Sequence, residues 1–275
     1  MSDLGRQARK VADGAEDAAD SKPFIIAARA GYVAAGLLHI LIGVIAVRVA
    51  SGGSGSPDQA GAMSSLASTP FGGILLWACA IGCCALALFL LSEVFFPPQR
   101  LDGKEDVIYR LKNGGKAMVY AAIGIGFAQY ALGGGGGGGG STQSTSAALM
   151  ASPAGPALLL AIGVGILIVA GYFVYSGVTQ KFEEHLSGKP SGSTGKAITT
   201  LGTIGYVAKG IALGVLGILV ITATVTHDPE KSSGLDGALK SLQEQPFGVY
   251  ILGAVALGLI AYGVFMVVRS RYQRM

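Results

Sequence analysis

The chain has 275 residues, of which 51% are hydrophobic and 13% charged, and its formal net charge is +4. A soluble domain carries about a quarter charged residues, whereas here the mean hydropathy is +0.56 and the charges avoid long apolar runs. That excludes an ordinary soluble enzyme, and the small net charge gives no reason to expect a nucleic-acid partner.

Residues 1–27 are polar and mix both charge signs. A cleavable signal peptide starts basic and turns apolar quickly, so this stretch reads as a polar cytoplasmic tail and the first span as a retained anchor. Repeat 1 occupies 28–96, with spans at 28–50 and 72–96; the second contains "GGILLWACAIGCCALALFLL", close to the ~20 residues a helix needs to cross a bilayer. Cys79, Cys83 and Cys84 lie in that span without a histidine or carboxylate at ligand spacing, so they read as small apolar filler and not as a metal or redox site.

A basic loop at 97–111 leads to repeat 2, 112–178, whose spans are 112–132 and 156–178. The first of these is weak, because "AMVYAAIGIGFAQYAL" is short and must borrow from the upstream "VIYRLKNGG" to reach across. Between them lies a Gly-rich outer loop, 133–146, which reads as a flexible linker. The loop 179–202 contains "GKPSGSTGKA", which echoes a phosphate-binding loop. Pro190 and Ala197 occupy the pattern's first and last positions and no strand precedes it, so it is dismissed. Repeat 3 occupies 203–268, with spans at 203–225 and 248–268, and 269–275 is a basic tail.

The charges fix an expected topology. Of 20 Lys and Arg, 16 lie in the N-terminal stretch through Arg29, in the loops around 97–116 and 181–200, and in the C-terminal tail. The alternate loops hold only Lys231 and Lys240. Basic residues concentrate on the cytoplasmic side, so both termini are expected there.

The chain also repeats itself. "GAMSSLASTPFG" at 61–72 returns as "GALKSLQEQPFG" at 237–248, and "GYVAAGLLHILIG" at 31–43 returns as "GYVAKGIALGVLG" at 205–217. A weaker middle copy has "KAMVYAAIG" at 116–124 and "LMASPAGP" at 149–156. Internal repetition of this kind redefines the fold: three tandem two-helix units, each entering the membrane in the same orientation. The expected fold is an all-α membrane protein of six transmembrane helices, arranged as a pseudo-threefold bundle or as a linear row of hairpins. Pro70 and Pro246 mark the entry to each unit's second helix, where a missing N–H is tolerated. The "GAMSSL" and "GALKSL" stretches read as a short amphipathic turn on the outer surface.

These motifs resemble the bacterial membrane family catalogued as domain of unknown function 1206, over nearly the whole chain from Arg29 to Arg269 and most weakly in the middle unit, where Ala154 replaces Phe. The resemblance implies a six-helix protein of the bacterial inner membrane and carries no activity with it.

Ionisable and polar groups within spans are the candidates for function. Repeat alignment pairs Lys209 with Lys116 and Ala35, which places it toward the inner interface with its amine directed outward. Glu93 aligns with Ser176 and Arg269, also near the inner surface, with Arg29 or Lys209 as partners. Arg48, Gln129 and Thr222 align as a polar tier below the outer surface. His39 lies midway through the first span, opposite Tyr120 and Leu213, and reads as a proton relay, a ligand or a buried hydrogen-bonded imidazole. No catalytic constellation or metal set stands out, and no cofactor is named by the sequence. The expectation is a non-enzymatic structural, accessory or lipid-binding membrane component. A solute or ion pathway along the pseudo-threefold axis is the alternative. Membrane lipids are the expected partners, with other proteins or further copies of the chain left open.

Overall fold

The computed structural model describes residues 21–96, 103–134, 139–186, 192–232 and 234–273. Residues 1–20, 274 and 275, and within the connections 97–102, 135–138, 187–191 and 233, lie outside the described residues. Among those described, the regular structure is helical: α1 (Lys22–Ala50), α2 (Gln59–Ala67), α3 (Gly72–Phe95), α4 (Lys104–Ala131), α5 (Gly139–Met150), α6 (Gly155–Val178), α7 (Ser193–Val225), α8 (Gly234–Gln243) and α9 (Gly248–Tyr272), with short 3-10 turns after α6 and α7.

The pattern long–short–long occurs three times, which realises the tandem repeat. Five of the long helices, α1, α3, α6, α7 and α9, are long and apolar enough to cross a membrane. Helix α4 is 28 residues long, about 42 Å at 1.5 Å per residue, but its first half carries Glu105, Asp106, Arg110 and Lys112. It extends upstream of the expected 112–132, as the short apolar stretch requires. Helix α7 likewise starts at Ser193, before the expected 203, because "STGKAITTLGT" continues the helix without a breaker.

The short elements differ from a simple turn. Helix α2 is capped by Asp58, whose carboxylate accepts from the Gly61 N–H at 2.7 Å. It buries Ala62, Met63 and Leu66. Helix α8 buries Ala238, Leu239 and Leu242, the same three repeat positions. The outer motif is therefore an amphipathic helix that plugs its apolar face into the bundle. The middle repeat has its own counterpart, α5, so the expected flexible linker is helical from Gly139 onward. Buried Ser146 on α5 meets Ser232 with their hydroxyl oxygens 2.8 Å apart.

The prolines of the motif sit earlier than expected. Helices α3, α6 and α9 begin at Gly72, Gly155 and Gly248, all buried. Pro70 and Pro246 lie in the preceding turn, two residues before the helix. Glycine is what the helix start requires: a Cβ on Gly248 would collide with the carbonyls of Leu242 and Gln243. The intervening Phe71 and Phe247 are 71% and 79% exposed, apolar side chains suited to lipid at the membrane border.

The chain divides into two compact units. The first holds the start of α1 with α3 and α4. Gly31 meets the backbone of Gly82, and a Cβ on Gly124 of α4 would stand 2.8 Å from Cys84 Sγ and 3.3 Å from the Ala80 carbonyl of α3. Cys79, Cys83 and Cys84 are free thiols, with Cys83 fully buried. The second unit holds the rest of α1 with α2 and α5 through α9. There, Gly43 of α1 meets Ala256 and Ile260 of α9, and Gly217 of α7 meets Gly163 and Leu167 of α6. Gly43, Gly124 and Gly217 are repeat-equivalent, and so are the positions they touch. Small residues permit this backbone approach, on which helix packing in lipid depends. The outward faces are apolar; Ile74, Ile81 and Leu88 form one exposed stripe on α3.

Candidate functional site

Helix α7 carries "GYVAKG", which sets Tyr206 and Lys209 three residues apart on one helix face. In the second unit this face meets α6, α9 and the first 3-10 turn, and a set of aromatic rings surrounds it. The Lys209 ammonium lies 4.3 Å from the centroid of the Tyr262 ring and 4.9 Å from that of Phe173. Both are within the ~6 Å range of cation–π attraction. Tyr206 stacks on Phe182 at 4.9 Å, lies 5.3 Å from Phe173 and meets Tyr262 edge-on at 5.4 Å. Phe265, fully buried, closes the cluster against Phe182 and Tyr206.

Arg269 reaches into the same group from α9. Its Nη1 donates to the Tyr206 hydroxyl at 2.9 Å and its Nε to Gln273 Oε1 at 2.7 Å, and the side chain is buried. His39 of α1 joins from the other side, its ring edge-on to Tyr262 at 4.9 Å. Tyr262 is thus shared: His39 and Lys209 both lie against its ring. Gly205, one turn before Lys209, allows this, since a Cβ there would meet the Tyr262 backbone at 2.5 Å.

Of the residues expected from sequence, the structure brings His39 and Lys209 together through Tyr262. Lys209 directs its amine onto rings within the bundle instead of outward to the interface, because Phe173 and Tyr262 offer π faces within reach. Glu93 belongs to the first unit, where Tyr109 and Lys116 are its electrostatic neighbours. It is not joined to Arg29, whose buried Nε has no hydrogen-bond partner among the described residues. Around Glu93, Lys116 also donates to Asn113 Oδ1 at 3.4 Å, and Arg110 donates to the Val94 carbonyl at 2.9 Å.

The polar tier takes different forms. Arg48 is exposed, and its side chain lies over the turn at Gly53, where a Cβ would be 2.7 Å from Arg48 Cγ. Gln129 is exposed in the first unit, and Thr222 is half-buried in the second, its carbonyl accepting from Thr226. Phe173, Tyr206, Tyr262 and Arg269 did not stand out in the sequence as a site. The available signal was the aromatic residue one turn from an intramembrane lysine. The partners Tyr262 and Phe173 come from other helices and leave no local trace.

No solved structure matches this chain. The chain is similar to a protein of Bacillus subtilis (strain 168) named "Uncharacterized protein YxxB", at 32% identity over 259 residues that cover 93% of this chain and 94% of the relative. The model of the Domain of Unknown Function (DUF1206) family matches residues 30–96, 111–180 and 204–273, the three helix–helix segments described above, and the chain belongs to that family.

Proposed function

We propose that this is a non-enzymatic, multi-pass component of the bacterial cytoplasmic membrane, structural or lipid-binding, with six spans and both termini in the cytoplasm. The observation that carries the reading is the use made of polar groups on the apolar helices. Arg269 is bonded to Tyr206, Glu93 has Tyr109 as an electrostatic neighbour, and Lys209 lies on two rings. These contacts join helices to one another and to rings, the work expected of intramembrane polar groups in a packing role.

The sixth span is α4, whose charged first half lies on the basic, cytoplasmic side of the expected topology. A pseudo-threefold order of the repeats is supported by the equivalence of the contacts Gly43–Ala256, Gly124–Ala80 and Gly217–Gly163. In an open row of hairpins, the first repeat would have no such contact with the last.

Impermeant maleimide labelling of single cysteines in a variant lacking Cys79, Cys83 and Cys84 tests the topology. Cysteines at Ser54, Ser144 and Thr226 label in intact cells, and one at Thr194 labels only after permeabilisation. Protection of the Ser144 position would remove the sixth span. Purified protein in vesicles tests the role: net flux of an ion or solute above that of empty vesicles would replace this reading with a transporter.

A further inference from the structure

The repeats offer an internal comparison. Lys116 and Lys209 are equivalent positions on α4 and α7, each packed against the second helix of the preceding repeat. The register of those two packings is the same: Gly124 meets Ala80 and Cys84, and Gly217 meets Gly163 and Leu167, which are the corresponding residues. In that register Glu93, the acid whose charge is felt at Lys116, corresponds to Ser176. The first lysine has an acid on the neighbouring repeat's helix, and at the equivalent position the second has a buried serine.

The surroundings of Lys209 agree. Ser176 stands one turn beyond Phe173 on α6, and the next residue, Gly177, packs against Tyr206 and Thr203 of α7. Lys209 has no ion pair or hydrogen bond to any described residue; its ammonium lies against the rings of Phe173 and Tyr262. Arg269 brings a second positive charge to the same cluster. Lys209 lies within the stretch 203–225 of α7 that is expected to cross the membrane. A cation held there among aromatic rings needs an anion or carbonyl partner, and intramembrane lysines ordinarily have one.

We infer that the Lys209 cluster is a binding site for an acidic amphiphile, its oxyanion headgroup supplying the negative charge that Ser176 does not. The rings of Phe173 and Tyr262, which lie against the ammonium, supply an apolar wall for the first part of an acyl chain. A freely soluble anion would enter this ring-lined setting only by shedding its water, which is why the chemistry favours an anion already resident in lipid. The assignment rests on the lipid-binding form of the reading above.

Native mass spectrometry of the full chain in detergent tests it, with palmitate, phosphatidylglycerol and phosphatidylcholine as probes. One equivalent of palmitate or phosphatidylglycerol binds at least tenfold more tightly than phosphatidylcholine. Preference for palmitate assigns a carboxylate, and preference for phosphatidylglycerol a phosphate headgroup. Lys209→Gln weakens the acidic probe at least tenfold. Ser176→Glu, which builds in the missing carboxylate, does the same and raises the melting temperature in lipid-free detergent, while Ser176→Gln leaves binding unchanged. Equal affinity of wild-type protein for acidic and zwitterionic probes overturns the inference without any variant. So does equal binding by Ser176→Glu and Ser176→Gln. Neither result bears on the number of spans, which the labelling experiment decides separately.

Discussion

Gly36 of α1 and Gly263 of α9 meet backbone to backbone: a Cβ on Gly36 would stand 2.6 Å from the Gly263 carbonyl oxygen, and one on Gly263 would stand 2.5 Å from that of Gly36. Backbone cannot yield as a side chain does, so a methyl at either position forces the helices apart. Gly36→Leu or Gly263→Leu therefore lowers stability by about 1–3 kcal/mol or more. Gly253→Ala on the same helix has open space around its added carbon and is neutral to slightly stabilising, by up to about 1 kcal/mol. Thermal melts in one detergent compare the three. Equal melting temperatures would show that the close approach contributes nothing.

The outer motif makes a second prediction. Leu239 of α8 is fully buried, and its repeat counterpart Met63 is 3% exposed. Leu239→Ala leaves a cavity under α8 and lowers stability by about 2–5 kcal/mol. Exposed Tyr250, at 78%, provides the contrast: Tyr250→Ala changes detergent stability by no more than about 0.5 kcal/mol. Similar losses for the two would contradict a plugging role for the motif.

The helical fold, the repeat and its outer corner are legible in the sequence because each is written locally: apolar runs of membrane length, and "GAL…PFG" printed twice. Helix boundaries were less legible. Nothing in "STGKAITTLGT" distinguishes a helix from a loop, and "GGSTQSTSAALM" is a helix that packs within the second unit. The candidate site was half legible. Lys209 and His39 are conspicuous as ionisable groups within apolar spans, but Tyr262 and Phe173 look like ordinary apolar-helix residues. What makes them a site is the crossing of α6, α7 and α9, which the one-dimensional pattern does not encode. Glu93 shows the reverse case. Its partner Tyr109 lies beyond the expected edge of the third span, so the sequence offered Arg29 and Lys209 instead.

The Ser146–Ser232 pair, both buried, allows a test of coupling. Ser146→Ala or Ser232→Ala alone leaves one hydroxyl unpaired in an apolar setting and destabilises by about 1–3 kcal/mol. The double variant removes both polar groups and recovers most of that loss. Additive losses in the double-mutant cycle would mean the hydroxyls do not depend on each other.

Asp58 gives the pH dependence. Burial pushes its carboxyl above the ordinary value of 3.8, Asp236 adds in the same direction, and the hydrogen bond from Gly61 works against the shift. The folded protein thus holds a proton that the unfolded chain releases between the folded value and 3.8. Stability from this group increases as pH falls through the folded value, and levels off below 3.8. Asp58→Asn keeps an oxygen to accept from the Gly61 N–H, since Asn and Asp cap helices about equally, and removes the buried charge. The variant is expected to melt higher than wild type at neutral pH, and the difference shrinks as the pH is lowered toward 4. Melting curves of both proteins across that range check the sign. A gap that widens on acidification would mean the Asp58 carboxylate is stabilised by its surroundings, as a charged cap paired with Lys240 would be, and that its burial is not the dominant effect.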